Sequence, residues 1–391
     1  MKESVKTAGF AAAALVLAAG AALVQPGNIA PAIFSDQGAA FYPKFTDPQA
    51  ARSIEVVDYD EGTATAMPLK VKLEKGRWVI SSHHNYPVDA SERLAKTAAA
   101  LMDVRKDAVR SDSPLDHAKF GVIDPLDTKV GSLAGRGKRV TLRDARGDVL
   151  ADFILGKPVE GKPGMRYVRV PGAKRTYAVK TAADASARFA DWVNAGLLRI
   201  SAASIRRITV NHYSIDALGG AGGMETTMLT HQGGTWKGGA GEAVQTAAIN
   251  GLTSALDNLR IIDVRPKPPA LAADLRAGQL RVSLDTAMSL RQRGFYLSQN
   301  GRLFASQGDL SVETDKGLVY TLRFGEVVST GGQPGEDRYL FATASARGPE
   351  GEAAANALNA RFADWYYVIS GKDFRAMQLR RKDLLAGGAR E

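Results

Sequence analysis

Two adjacent histidines, His83 and His84, sit in the stretch Ser81-Ser82-His83-His84-Asn85-Tyr86-Pro87-Val88-Asp89. They form the chain's only histidine cluster, and with Asp89 just behind they are the first place to look for a metal ion or acid–base chemistry. Adjacent residues of an extended segment point to opposite faces, so the pair cannot share one ion without a bend. The spacing favours a solvated loop ahead of a helix. His117, His212 and His231 stand alone.

Other reactive centres fail on residue type or register. The chain has no cysteine, which removes disulfides, thiolate metal sites, iron–sulfur clusters and cysteine nucleophiles. Gly238-Gly239-Ala240-Gly241 precedes a helical pattern, and helix N-termini attract phosphate. These glycines nevertheless lack the G-x-G-x-x-G register, and no Lys-Ser or Lys-Thr follows. Gly137-Lys138 has the lysine of a phosphate loop, but Arg139 stands where Ser or Thr would hold magnesium and Ser132 replaces the first glycine. No G-x-S-x-G supplies a nucleophile elbow. The carboxylate pair Asp144/Asp148 falls at a hairpin turn, where Asp serves turn geometry. The expectation is a non-catalytic protein without cofactor or metal; an enzyme acting on envelope polymers would have to use the His83-His84 loop.

Charge is the remaining chemical signal. Lys and Arg total 51 against 41 Asp and Glu, a formal net charge of +10. Arg136, Lys138 and Arg139 cluster in one loop, Arg206-Arg207 lie on a strand, and Arg380-Arg381-Lys382 lie near the C-terminus. Outside the cytoplasm such cations would meet anionic lipid head groups, an anionic glycan or an acidic partner, at about 1 kcal/mol per favourably placed cation. The plainer alternative is a solvated basic surface. Nucleic acid is not expected as a partner outside the cytoplasm.

The N-terminus places the body there. After Lys2 and Lys6, residues 7–24 (TAGFAAAALVLAAGAALV) carry no charge. As a helix they would extend about 27 Å, just enough for one crossing of a hydrocarbon core of roughly 30 Å. The preceding lysines favour a cytoplasmic N-terminus. A cleaved signal peptide is the competing reading, since Ala19-Gly20-Ala21 fits a small-x-small cleavage site. Either way everything after Gln25 is extracytoplasmic.

The body reads as one unit written twice. Arg-Phe-Ala-Asp-Trp occurs at 188–192 and again at 361–365. Arg166-Tyr167-Val168 is matched by Arg338-Tyr339-Leu340, VTLRDARGDVLADFILG (140–156) by LSVETDKGLVYTLRFG (310–325), and LKVKLEKGRW (69–78) by TTMLTHQGGTW (226–236). Ser53-Ile54 and Ser204-Ile205 open the two copies. The four tryptophans then pair as Trp78 with Trp236 and Trp192 with Trp365. A ring recurring in both copies reads as a core anchor, since one indole buries on the order of 150–250 Å².

Alternating apolar runs predict strands near 54–58, 69–73, 78–80, 139–144, 149–155, 166–170 and 175–179. Asp89 with Glu92 predicts a capped helix over 89–103, a second helical pattern spans 242–258, and a further helix is expected to lead into Phe189 and Trp192. Hairpins with few helices predict an α+β class: two tandem modules of antiparallel sheet plus helices, after one N-terminal transmembrane helix. The expected divisions are an anchor at 1–24, a tether at 25–52, repeats at 53–203 and 204–370, and a basic tail at 371–391 that holds an LRRKDLL helix.

Along the chain, Phe41-Tyr42-Pro43, a strand, Gly76-Arg77-Trp78 before a capped helix, FGVIDP (120–125), LGK (155–157), RYVRV (166–170) and FADW (189–192) resemble the bacterial family DUF4340, a domain of unknown function. The likeness covers most of 41–200 and, more weakly, the second copy, where Arg293-Gly294-Phe295 stands in place of FGVIDP. The resemblance implies a single-pass protein of the bacterial inner membrane with its body in the periplasm. It also implies an accessory or docking role in an inner-membrane complex, often a gliding-type ABC transport system. The family has no established catalytic residues to carry over.

Overall fold

The computed structural model describes residues 3–23, 36–183, 185–198, 200–216, 220–278, 280–281, 283–298, 301–328 and 336–386. The Ala- and Leu-rich start forms helix α1 (Glu3–Leu23). Among the described residues no helix is long and apolar enough to cross a membrane. The part of the expected tether at 25–35 lies outside the described residues. Residues 36–52 pack on the body: Phe45 and Ala51 are buried, Phe41 sets its ring against Phe153 and Tyr177, and the Tyr42 hydroxyl donates to the Asp152 carbonyl at 2.6 Å.

Two large antiparallel sheets and one two-stranded hairpin make up that body. The first is built from β1 (Ser53–Asp60), β2 (Thr65–Glu74), β3 (Arg77–Ile80), β4 (Tyr86–Val88), β5 (Ala108–Ser111), β6 (Lys138–Arg143), β7 (Val149–Pro158), β8 (Met165–Arg169) and β9 (Thr176–Lys180), in spatial order 4-3-2-1-6-7-8-9-5. Strand periodicity turns Ile54, Val56, Leu69, Val71, Val140, Leu142 and Phe153 into one core. Helix α2 (Ser91–Met102) adds Leu94, Ala98 and Leu101, an apolar stripe at helical spacing. Its N-cap is Ala90 with no side-chain cap bond, so Asp89 does not cap it as expected. A short helix α3 (His117–Phe120) follows β5.

The second sheet comprises β10 (Ile205–Ile215), β11 (Ala221–Gln232), β12 (Thr235–Gly238), β13 (Ile261–Pro266), β16 (Asp309–Thr314), β17 (Leu318–Val327), β18 (Arg338–Ala346) and β19 (Trp365–Ile369), with helix α4 (Thr246–Asp257) between β12 and β13. Its order, 12-11-10-16-17-18-19-13, is the order of the first sheet without β4. Between β13 and β16 lie α5 (Pro269–Arg276), α6 (Leu284–Arg291) and the hairpin β14 (Phe295–Leu297) with β15 (Leu303–Ala305). Helix α7 (Pro349–Phe362) separates β18 from β19. After β19 come α8 (Gly371–Met377) and α9 (Arg381–Leu384). Met377, Leu384 and Leu385 are buried, so residues 371–386 belong to the packed body, and only 387–391 of the expected tail lie outside the described residues. The inner faces of both sheets join in one continuous apolar core.

The registers correct the sequence alignment in two places, the opening of the second copy and the pentapeptides, and agree with it in two others. Ile54 pairs with Val71 as Ile208 pairs with Leu229, so the copies open at Ser53 and Arg207, three residues from the expected Ser204 match. In the same register Leu73 faces Trp78 and His231 faces Trp236, so these two tryptophans are equivalent. The pentapeptides are not. The first lies in a short 3-10 turn, Phe189–Asp191, after β9 and without the expected helix. The second closes α7 and opens β19, the strand equivalent to β9. Finally, Arg293-Gly294 does stand for Phe120-Gly121. A Cβ on Gly156 would meet the Phe120 carbonyl oxygen at 2.5 Å, and one on Gly325 would crowd the Arg293 carbonyl in the same way.

The outer faces diverge. On the first sheet a small cluster of Phe120, Val122 and Ile154, with Tyr167 against it, covers the strands. On the second, α5, α6 and the β14–β15 hairpin bury Leu271, Leu290, Phe295, Leu303, Ala305, Phe341 and Tyr366.

Candidate functional site

The histidine pair lies at the junction of the two sheets. After β3 the chain makes a 3-10 turn, Ser81–His83, and His84 and Asn85 adopt left-handed φ of 56° and 58°. This bend separates the two imidazoles' environments. His84 is exposed, whereas His83 is mostly covered, its ring 5.0 Å from Phe189 and its Nε2 3.7 Å from Asp263 of β13. Ser82 Oγ lies 3.0 Å from Nδ1. Burial holds the His83 imidazole below its ordinary pKa, against the opposing pull of Asp263. The expected solvated loop is therefore a tie between the halves at His83 and solvent-facing only at its tip. Among the described residues no group of three or more His, Asp or Glu side chains is placed to hold a metal ion.

Next to this tie runs a groove of about 840 Å³, lined by Tyr86, Val88, Glu92, Arg93, Lys96, Trp192 and Arg361 among others. Both pentapeptides reach the junction. Tyr86 rests its ring on Phe189 of the first at 5.3 Å and on Trp365 of the second at 5.0 Å. Arg93 lies 5.1 Å over Trp192 and donates to the Asp191 carbonyl at 2.8 Å. Arg361 donates to the carbonyls of Leu197 and Gly196 at 3.1 and 3.0 Å. Arg361 thus fastens backbone across the junction, while Arg93 fastens α2 to the Phe189–Asp191 turn of its own repeat. Trp192 is buried and donates Nε1–H to the Ser186 carbonyl at 2.8 Å; Trp78, Trp236 and Trp365 are half-buried against the same core.

Four of the six cations singled out for polyanion contact have other engagements. Arg136 sends its guanidinium to the carbonyls of Asp124, Asp127, Val130 and Ser132 at 2.8–3.2 Å and stacks over Tyr59 at 4.6 Å. Lys138 pairs with Asp58 at 3.2 Å, and Arg139 with Asp152 and Asp124 at 2.7 and 3.1 Å. Arg381 pairs with Glu242, while Arg380 and Lys382 are exposed beside it. That same Glu242 accepts from the Ala240 N–H at 2.9 Å, so a carboxylate of the chain itself fills the Gly238–Gly241 turn. Gly137 is required because a Cβ there would meet the Gly121 carbonyl at 2.6 Å. Asp144 accepts from the N–H groups of Arg146 and Asp148 at 2.8 and 2.9 Å, the turn geometry expected of it.

Sequence reasoning missed two arginines, Arg169, which is buried, and Arg323, which is half-buried. On the outer face Ile154 pairs with Arg169 across β7–β8, and at the equivalent place in β17–β18 Arg323 pairs with Phe341. The guanidinium has changed strand but not task. Arg169 donates to the carbonyls of Val122 and Ala173 at 2.8 and 2.9 Å, and Arg323 to the Leu303 carbonyl and Thr343 Oγ1, both at 3.0 Å. Each pins an outer loop to its sheet. Because the residue moves across the pair, the internal alignment sets Arg169 against Phe341 and Arg323 against Ile154. Lys267 was also missed: it is buried, donates to the Phe362 carbonyl at 2.7 Å, and lies 4.1 Å over Phe341.

The arrangement defines a class before it defines a family: a two-sheet α+β protein whose halves are tied at their junction by His83 with Asp263 and by Arg361. The family model for DUF4340, a domain of unknown function, matches residues 78–278, more than half of the chain, and the protein belongs to that family. The match runs from Trp78 in β3 to the end of the α5 region and so spans both sheets. No curated protein and no solved structure matches the chain.

Proposed function

We propose that the protein is a non-catalytic, membrane-anchored accessory or docking subunit, its body on the extracytoplasmic side of a bacterial inner membrane and its partner a multi-pass complex, an ABC transport system by the family resemblance. The observation that carries this reading is α1. In this 21-residue helix Phe10, Leu15, Val16 and Leu17 are 71–79% exposed. All of its described side chains, residues 7–18, are exposed, and an exposed apolar helix supports an element that meets lipid or a partner. The engagement of His83 and Arg361 in ties between the halves supports a scaffold rather than a catalyst. In this reading 1–24 is the anchor, and the repeats divide near residue 204.

Crosslinking in intact membranes followed by mild extraction tests the proposal. Co-purification of a multi-pass membrane protein is expected. A body that migrates alone at low salt, without any crosslinked partner, overturns the accessory role.

A further inference from the structure

We infer that the outer face of the first repeat is a membrane-docking surface, seated on anionic lipid beside the point where the chain leaves its anchor. This rests on the anchored reading and adds an orientation to it. The loop between β5 and β6 exposes Leu115 at 91%, Leu126 at 49%, Val130 at 36% and Leu133 at 47%. Outside α1, no other described segment of comparable length exposes four large apolar side chains. Leu115, Leu126 and Val130 line one cavity of about 710 Å³ with Arg139, Arg169 and Lys174. Around it Lys119, Lys129 and Lys174 are exposed. Four aspartates share the surface and are engaged: Asp112 pairs with Arg175 at 2.5 Å, Asp116 accepts from Ser111 Oγ at 2.6 Å, Asp124 pairs with Arg139 at 3.1 Å and Asp127 accepts from the Lys129 N–H at 2.8 Å. The surface is therefore apolar at its centre and basic at its rim, which suits apolar side chains entering the head-group boundary while cations meet acidic lipids.

Two further observations select the bilayer as occupant. The second repeat covers the same face with α5, α6 and the β14–β15 hairpin, enclosing seven apolar residues although α6 itself exposes Leu284 and Met288; among the described residues the first repeat has no such cover. The chain also enters the described body at Asp36, which accepts from Lys106 Nζ at 2.9 Å and Tyr177 OH at 2.8 Å and lies 3.6 Å from Arg175. Arg175 adjoins Lys174 on the cavity wall. Twelve residues separate Leu23 from Asp36, a reach of at most about 45 Å, so an anchored α1 keeps this face near the membrane.

The cysteine-free chain permits single labels. Full-length protein carrying Leu126→Cys, Met228→Cys or Ala13→Cys is labelled with an environment-sensitive fluorophore. It is then reconstituted in vesicles of phosphatidylglycerol and phosphatidylcholine. A lipid-borne quencher is expected to act severalfold more strongly at position 126 than at 228, and the contrast is expected to shrink without phosphatidylglycerol or with Lys129→Glu and Lys174→Glu added. Equal response to a water-borne quencher at 126 and 228, with position 13 quenched from the lipid, overturns the docking surface and leaves the anchor standing. Lipid quenching at 126 but not at 13 overturns the anchored reading alone, and lipid quenching at neither overturns both.

Discussion

The two sheets repeat one strand order but finish their outer faces in different ways. The inner faces keep the same apolar positions in the same register, Val56 with Val140 and Phe153 in one repeat, Val210 with Leu310 and Leu322 in the other. Outside, one repeat has a cluster of three buried residues and the other a cluster of seven under two added helices. The inner faces share a single core and cannot change independently. Each outer face answers only to its own loops, and there identity drifts while the tasks persist, as the exchange of Arg169 for Arg323 shows.

The tryptophans break or sharpen this comparison most strongly. If the verbatim pentapeptides marked equivalent sites, Trp192→Ala and Trp365→Ala would cost alike. The structure predicts that Trp192→Ala costs about 3–5 kcal/mol, because a buried ring and its indole hydrogen bond are lost. Trp365→Ala, removing a half-buried ring, should cost distinctly less. Urea unfolding of the two variants decides; equal midpoints would restore the pentapeptide alignment.

Next come the paired glycines. Gly156→Ala and Gly325→Ala each push a methyl group into a backbone carbonyl, of Phe120 in one repeat and Arg293 in the other, at an expected cost of about 1–3 kcal/mol each. Similar losses would establish Arg293-Gly294 as the counterpart of Phe120-Gly121; a loss at one site alone would dissolve that equivalence. This equivalence was only half legible in the sequence. The strand hairpins and the Trp78–Trp236 match follow from period-two alternation and turn residues, which are local signals. The turn at Arg293-Gly294 shares only its glycine, because what the fold requires there is a left-handed residue and a close approach, not a particular neighbour. The shared Arg-Phe-Ala-Asp-Trp misled for the converse reason: five identical side chains fill different places, since α7 lengthens one repeat and not the other. Nor could spacing announce the tie between His83 and Asp263, which links residues 180 positions apart.

Tyr59 and Tyr213 occupy the same register position on β1 and β10. Tyr213 is buried, its hydroxyl donating to Asp309 at 2.8 Å and accepting from the Ala305 N–H at 3.1 Å. Tyr59 presents its ring to Arg136, and its hydroxyl has no hydrogen-bond partner among the described residues. Tyr213→Phe should therefore cost about 2 kcal/mol, by leaving a buried carboxylate and an N–H short of a partner. Tyr59→Phe should stay within about 0.5 kcal/mol. Equal costs would mean that the outer faces had diverged less than their contacts indicate.

The smallest effect per step is a pH slope that only the second repeat should generate. Lys267 is the one lysine buried among the described residues, and that burial lowers its pKa from 10.5 to about 7, with Asp364 opposing. The sign follows from proton counting. Below about pH 7 both folded and unfolded chains hold the proton, and the folded state carries the full penalty of a buried charge. Between about 7 and 10.5 the unfolded chain holds a proton that the folded one lacks, so stability rises with pH, by at most about 1.4 kcal/mol per unit. The equivalent strand of the first repeat, β5, runs instead into exposed Asp112, paired with Arg175 on the surface. Lys267→Met, which keeps the volume and removes the charge, should therefore gain most over the parent chain at pH 6 and progressively less toward pH 9. Denaturation midpoints of the two proteins across that range measure the difference, and parallel profiles would mean that the ammonium group is not desolvated as its place under Phe341 and Tyr366 requires.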